Sequence, residues 1–315
     1  MLKHKPIVVT GVSSFVGYHL AKYFSNQGLP VIGTISRSIE HYDDIRLQRL
    51  KDLKGTKLEV VDLCHRKMVE HFIESVKPVF WFHHAGFAKD YGSFEFDMDR
   101  GYDVNVRPLE WIYPALKKVE VQGVIVTGTG AEYSDSDDAH KEDEVCLPVT
   151  PYGLSKLVET QRAAQLANLH KLKTRVARIF IPYGSMDHPQ KLFATVIQSL
   201  RNGKKIELSP CEQERDFLFI DDLMSGYQGL MKHIESSEQI FEIFNLCSGE
   251  ATQVKRVLLA MAKDLKVSAS LLDFGSKTMR PGEAMRQYGS NQKAKLQLNW
   301  QPKSIEQGVK LFLKE

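Results

Sequence analysis

Six short runs rich in apolar, β-branched and aromatic residues alternate with longer amphipathic stretches through the first 180 residues, at 6–10, 30–35, 57–61, 78–83, 123–128 and 174–180. This alternation constrains the fold more than any other feature, because it reads as βαβ units. Right-handed crossovers then wind a parallel sheet with helices on both faces. Beyond Ile181 the texture is less regular. It predicts helices near 190–202, from Asp221, over 252–265 and over 304–314, with strands at 216–220 and 241–246. The expected architecture is α/β, a doubly wound parallel sheet over residues 1–180 and a smaller α/β lobe over 181–315 that returns some segments to the first domain.

A balance of 43% hydrophobic and 26% charged residues is that of a soluble globular chain and sets disorder and fibrous folds aside. A net charge of +3 with no dense Lys/Arg tract argues against nucleic acid as a partner. The opening Met1-Leu2-Lys3-His4-Lys5 has no signal-peptide core, and no run is long enough to span a bilayer. A cytoplasmic protein without membrane partners is expected. Cys64, Cys146, Cys211 and Cys247 are far apart and contain no CxxC, so they are read as free thiols rather than a disulfide or metal site.

After the first strand comes Gly11-Val12-Ser13-Ser14-Phe15-Val16-Gly17, followed by a helical pattern. A tight turn from strand to helix turns backbone N–H groups and the positive helix end toward a pyrophosphate, and glycine permits close approach. Ser14 stands where a GxxGxxG loop would carry its middle glycine. Residues 1–180 therefore form a Rossmann-type dinucleotide-binding domain, with Gly11, Ser13, Ser14, Phe15, Val16 and Gly17 as its phosphate turn. At the end of the second strand, Ser36 and Arg37 replace the acid that would grip the ribose of NAD. This favours NADP(H), with NAD as the alternative. Asp62 and Leu63, past the third strand, are candidates for the adenine edge.

A Tyr four residues before a Lys on one helix face brings a cation to a phenol and favours phenolate. Three pairs have this spacing: Tyr18/Lys22, Tyr113/Lys117 and Tyr152/Lys156. Only the third opens a helix with strong start signals, an N-cap Thr150 followed by Pro151. The preceding strand ends at Thr129, whose hydroxyl is placed to reach the same substrate oxygen as Tyr152. His83 and His84 read as packing groups beside the cofactor, and Asn105 as a hydrogen-bonder that positions a helix.

Taken together, the Gly11–Gly17 turn, Gly128-Thr129-Gly130-Ala131-Glu132-Tyr133 and the Tyr152/Lys156 pair resemble the extended short-chain dehydrogenase/reductases, the NAD-dependent epimerase/dehydratase group. The likeness continues through 178–184, 215–222, 244–249 and 298–302. It implies that Thr129, Tyr152 and Lys156 are catalytic, with Lys156 also holding the nicotinamide ribose. It implies too that Thr129, Arg215 and Arg280 bind a nucleotide-sugar substrate, the arginines at its diphosphate. A homodimer through the Tyr152 helix and its neighbour is a further implication, carried by apolar positions over 157–172.

Family 4,6-dehydratases place an Asp-Glu pair directly after the catalytic Thr, where this chain has Gly130 and Ala131, so dehydration is not expected. In the related 4-epimerases an Asn falls at the position of Ile181. The leading expectation is NADP(H)-dependent reduction of a 4-keto nucleotide sugar with Tyr152 as proton donor. The alternatives are a nucleotide-sugar epimerase with retained NAD, a small-ketone reductase, and a catalytically silent NAD(P)-binding sensor or scaffold.

Overall fold

The computed structural model of the chain describes residues 5–279 and 284–314. Its centre is a seven-stranded, wholly parallel sheet. The strands are β1 (Ile7–Thr10), β2 (Val31–Ile35), β3 (Thr56–Val60), β4 (Phe80–His83), β5 (Gly123–Thr129), β6 (Thr174–Ile179) and a last one from the C-terminal part of the chain, Phe241–Leu246. Across the sheet they run Phe241–Leu246, β6, β5, β4, β1, β2, β3.

The two-residue period of the strands divides the core. Ile7, Val9, Phe80, Phe82, Ile125 and Ala177 pack on one face, and Val8, Trp81, Val124, Val126 and Val176 on the other. Because both faces are covered, β4 is buried along its whole length, including the polar His83. The helix Pro151–His170 contributes Ala163, Leu166 and Ala167 to the second cluster, as does Leu172 just beyond it. Ala163, Leu166, Ala167 and Leu172 thus belong to the protein's own core, whereas Leu157, Val158 and Ala164 are half-buried and Leu169 is exposed.

The remaining strands are short. Ile181–Tyr183 pairs with Phe217–Phe219, Ile206–Leu208 with Leu272–Phe274, and Glu214–Arg215 lies between Thr252–Gln253 and Arg286–Gln287. Among the described residues no helix is long and apolar enough to cross a membrane, and no cluster of three or more His, Cys, Asp or Glu is placed to hold a metal.

The chain leaves β1 in one direction to build β2 and β3, then crosses back to build β4, β5 and β6 on the other side. The carboxyl ends of β1 and β4 therefore form the topological switch point, where open α/β sheets bind their ligands. Thr10 fastens this point: its Oγ1 donates to Phe82 O (3.1 Å) and accepts from the N–H groups of His84 and Ala85 (2.9 Å each). Gly11 follows at φ +72°, and a Cβ there would lie 2.8 Å from the Cα of Ala85. Gly28 has a similar φ of +75° but open space around it. Gly11→Ala should therefore destabilise the protein by more than about 2 kcal/mol and Gly28→Ala by only about 1 kcal/mol, read from urea midpoints. Equal losses would contradict the close approach of the two strand ends.

Candidate active site

The phosphate turn is shaped by its own side chains. Ser14 is the N-cap of the helix Phe15–Asn26: its Oγ accepts from Gly17 N (3.1 Å) and donates to Gly11 O (2.8 Å). A Cβ on Gly17 would sit 2.4 Å from Gly11 O, so the turn closes only with glycine there. The N–H groups of Ser13, Phe15 and Val16 have no acceptor among the described residues. They form the donor set that a dinucleotide's diphosphate fits at the positive end of a helix. Arg49, which sequence reasoning did not single out, is buried and holds this turn to the C-terminal part, donating to Ser13 O (3.0 Å) and Met186 O (2.6 and 2.8 Å).

The hydroxyl of Ser14 is also met by His84 Nε2 at 2.9 Å. His84 Nδ1 lies 3.1 Å from Thr127 Oγ1, which lies 2.7 Å from the hydroxyl of Tyr227. Burial lowers the His84 imidazole to about 3, so it is neutral. Ser14 therefore turns inward, and its departure from glycine is absorbed by the fold.

At the end of β2, Ser36 and Arg37 are exposed. The guanidinium of Arg37 lies 4.7 Å from the ring centroid of Tyr42, and Ser36 Oγ is 3.4 Å from the Tyr42 hydroxyl. Asp62 accepts from Cys64 N (3.0 Å) in a local turn, and the carbonyl of the buried Leu63 accepts from Trp111 Nε1 (3.0 Å). The cap of the next helix is His65.

Thr129 ends β5, and the residues after it form one tight turn. Its Oγ1 accepts from Ala131 N (3.2 Å), leaving the hydroxyl proton to donate elsewhere, and its N–H donates to Glu132 Oε1 (2.9 Å). Glu132 Oε2 in turn accepts from Arg178 Nε on β6 (3.0 Å), both residues being buried. This pair escaped sequence reasoning, which read both residues only as part of a family pattern.

The helix Pro151–His170 starts against that turn. Thr150 caps it by accepting from Gly153 N (3.1 Å), and a Cβ on Gly153 would lie 2.1 Å from Ala131 O. Tyr152 and Lys156 are thereby brought to the Thr129 turn. Burial raises the Tyr152 phenol pKa; Lys156 pulls it back, and Glu159 and Glu132 push it further up. The rings of Tyr91 and Phe96 stand edge-on to Tyr152 at 5.8 and 5.7 Å. Asn105, fully buried, accepts from Phe87 N (2.6 Å) and donates to Ser155 Oγ (3.2 Å), joining the loop after β4 to the Tyr152 helix.

The other two Tyr/Lys pairs are elsewhere. Lys22 donates to the Tyr18 hydroxyl (2.8 Å), but Asp52 completes that cluster at a half-exposed position. Tyr113 is buried, with its hydroxyl at Thr174 Oγ1 (3.3 Å). Arg215 pairs in register with Gln287, whose Nε2 donates to Gly130 O (3.3 Å), so its strand reaches the Thr129 turn. Arg280 lies outside the described residues.

A parallel sheet with a glycine turn at its switch point defines the class: a dinucleotide-binding α/β protein. The chain belongs to the NAD dependent epimerase/dehydratase family, whose profile matches residues 7–247. It is 24% identical over 312 residues to a UDP-glucuronate 4-epimerase of Thermodesulfobacterium geofontis, covering 96% of this chain and 93% of that one. It is 26% identical over 316 residues to the CDP-abequose synthase of Salmonella muenchen, covering 98% and 97%. Its fold matches the UDP-glucuronic acid 4-epimerase of Bacillus cereus, solved with UDP-glucuronic acid and NAD, with a TM-score of 0.83 at 20% identity over 98% of each chain.

These findings correct the expectation of NADP(H). The family is NAD dependent, and the Bacillus cereus enzyme and other proteins of this fold were solved with NAD. With NAD there is no 2′-phosphate for Ser36 and Arg37 to hold, and Arg37 instead covers the Tyr42 ring.

Removing the carboxylate behind Thr129 leaves Arg178 buried without its counter-charge. Glu132→Ala should cost about 3–5 kcal/mol, measured as a lowered urea midpoint; an unchanged midpoint would mean that the pair does not hold the turn.

Proposed function

We propose that this protein is a nucleotide-sugar 4-epimerase that works with a retained NAD. The observation that carries the reading is the docking of the Tyr152 helix, through Gly153, onto the turn that holds Thr129, at the carboxyl edge of the sheet beside the phosphate turn. Oxidising and re-reducing one carbon needs a single group that takes and returns a proton at its oxygen, and Tyr152 is that group. Thr129 donates its hydroxyl proton to the same oxygen. Lys156 supplies the cation that favours phenolate and holds the nicotinamide ribose. NAD, when bound, would supply reversible hydride transfer at the sugar carbon. Arg215 supplies a positive charge for the diphosphate of the substrate.

Gly130 and Ala131 carry no group that moves a proton, which disfavours dehydration. Reduction of a 4-keto sugar, a reading drawn in part from the acid-free end of β2, loses the support it took from NADP(H). The named relatives include 4-epimerases of UDP-glucuronate, which makes UDP-glucuronate and UDP-glucose the first substrates to try.

Purified protein should release NAD on denaturation and form the C4 epimer from one of these sugars with no cofactor added. Tyr152→Phe should lower kcat by about 10²–10⁴-fold while the NAD content stays unchanged. A requirement for stoichiometric reduced cofactor would overturn the proposal.

A further inference from the structure

On the Tyr152 helix, three residues past Lys156, stands Glu159, with only 1% of its surface exposed. Its Oε2 accepts from Lys156 Nζ. Its Oε1 has no hydrogen-bond partner among the described residues and faces His83 Nε2, which also has none among them, at 3.7 Å. The indole of Trp81 only donates, and its Nε1 reaches His83 Nδ1 at 3.4 Å. The proton of the neutral imidazole therefore sits on Nε2 and points at Glu159. A line of side chains, Trp81, His83 and Glu159, thus backs Lys156 on the side away from the solvent.

We propose that Glu159 is a positioning residue: it fixes the Nζ of Lys156, keeps it charged in a site nearly closed to water, and so makes NAD binding depend on pH. This rests on the reading of Lys156 as the cation at the nicotinamide ribose. An ammonium has three donors; one given to Glu159 anchors it and leaves two for the cofactor and Tyr152.

The groups that face Glu159 are Lys156 and Tyr152 on its own helix, His83 from β4, Tyr113 from the helix Leu109–Lys118, and Glu132, which is paired with Arg178. Burial pushes the carboxyl up to about 7, against the pull of Lys156. His83, and His84 beside Lys156, stay neutral because burial lowers both to about 3. Lys156, Tyr152 and Tyr113 are all raised above their usual alkaline values. Glu159, raised to about 7, takes up a proton as pH falls through neutrality, and Lys156 then loses its counter-charge.

The test is calorimetric titration of cofactor-stripped protein with NAD from pH 5 to pH 9, for the unaltered chain, Glu159→Gln and Glu159→Asp, with thermal midpoints as the folding control. The unaltered protein should bind NAD about tenfold more weakly at pH 5 than at pH 9. Glu159→Gln, which imitates the protonated acid, should be weak and flat across the range, and Glu159→Asp should regain the pH dependence. A flat profile in the unaltered protein overturns the inference even where the variants fail to fold. So does a Glu159→Gln protein with unaltered affinity and profile. Failure of the unaltered chain to bind NAD at any pH would sink the cofactor reading itself, whereas normal pH-dependent binding without epimerisation would leave this inference standing.

Discussion

Glu132 and Arg178 form the contact on which the geometry of the candidate site depends. Two opposite charges withdrawn from water persist only when paired and hydrogen-bonded, and this pair is shared among several elements. Glu132 holds the backbone of Thr129, and Arg178 extends from β6 across the ring of Tyr133, 4.6 Å from its centroid. The hydroxyl of Tyr133 reaches Asn245 on the neighbouring strand at 2.7 Å. The turn after β5 is therefore bound to the next two strands of the sheet. The Tyr152 helix, which starts against that turn, inherits its position from them.

The strands of the first half were legible because a parallel sheet covered on both faces leaves continuous apolar runs, and the observed strand limits stay within a residue or two of the expected ones. Thr150-Pro151 set one Tyr/Lys pair apart from the other two because a cap and a first-turn proline describe a helix start independently of chemistry, and a helix does start there. Partners distant in the chain left no such mark. Arg49 and Met186 are 137 positions apart, and Glu132 and Arg178 are 46 apart. Glu159 lay close to Lys156, but nothing in its neighbours announced that it would be buried. Arg37 misled for the opposite reason: its aromatic partner Tyr42 is only five residues on, inside a stretch read for charge alone.

Small residues do as much at this site as polar ones. Gly153 lets a helix start in contact with a carbonyl, and Gly130 and Ala131 keep the turn compact beside the Phe180 ring. Chemistry is confined to Thr129, Tyr152 and Lys156 in the proposed reading because the positions between them carry no reactive group. Specificity for one reaction is thus partly a matter of what the backbone leaves no room for.

The contacts of Ser14 carry one more consequence. Its hydroxyl proton is committed to Gly11 O, so His84 must donate from Nε2, accept at Nδ1 from Thr127, and leave Thr127 to accept from Tyr227. Each bond in the row is directed the same way, from Tyr227 toward the turn. Aligned bond dipoles add, and their positive ends lie on the side of the phosphate turn. The residue that took the place of a glycine thereby gives the turn a polarity from side chains that reinforces the one the helix supplies from its backbone.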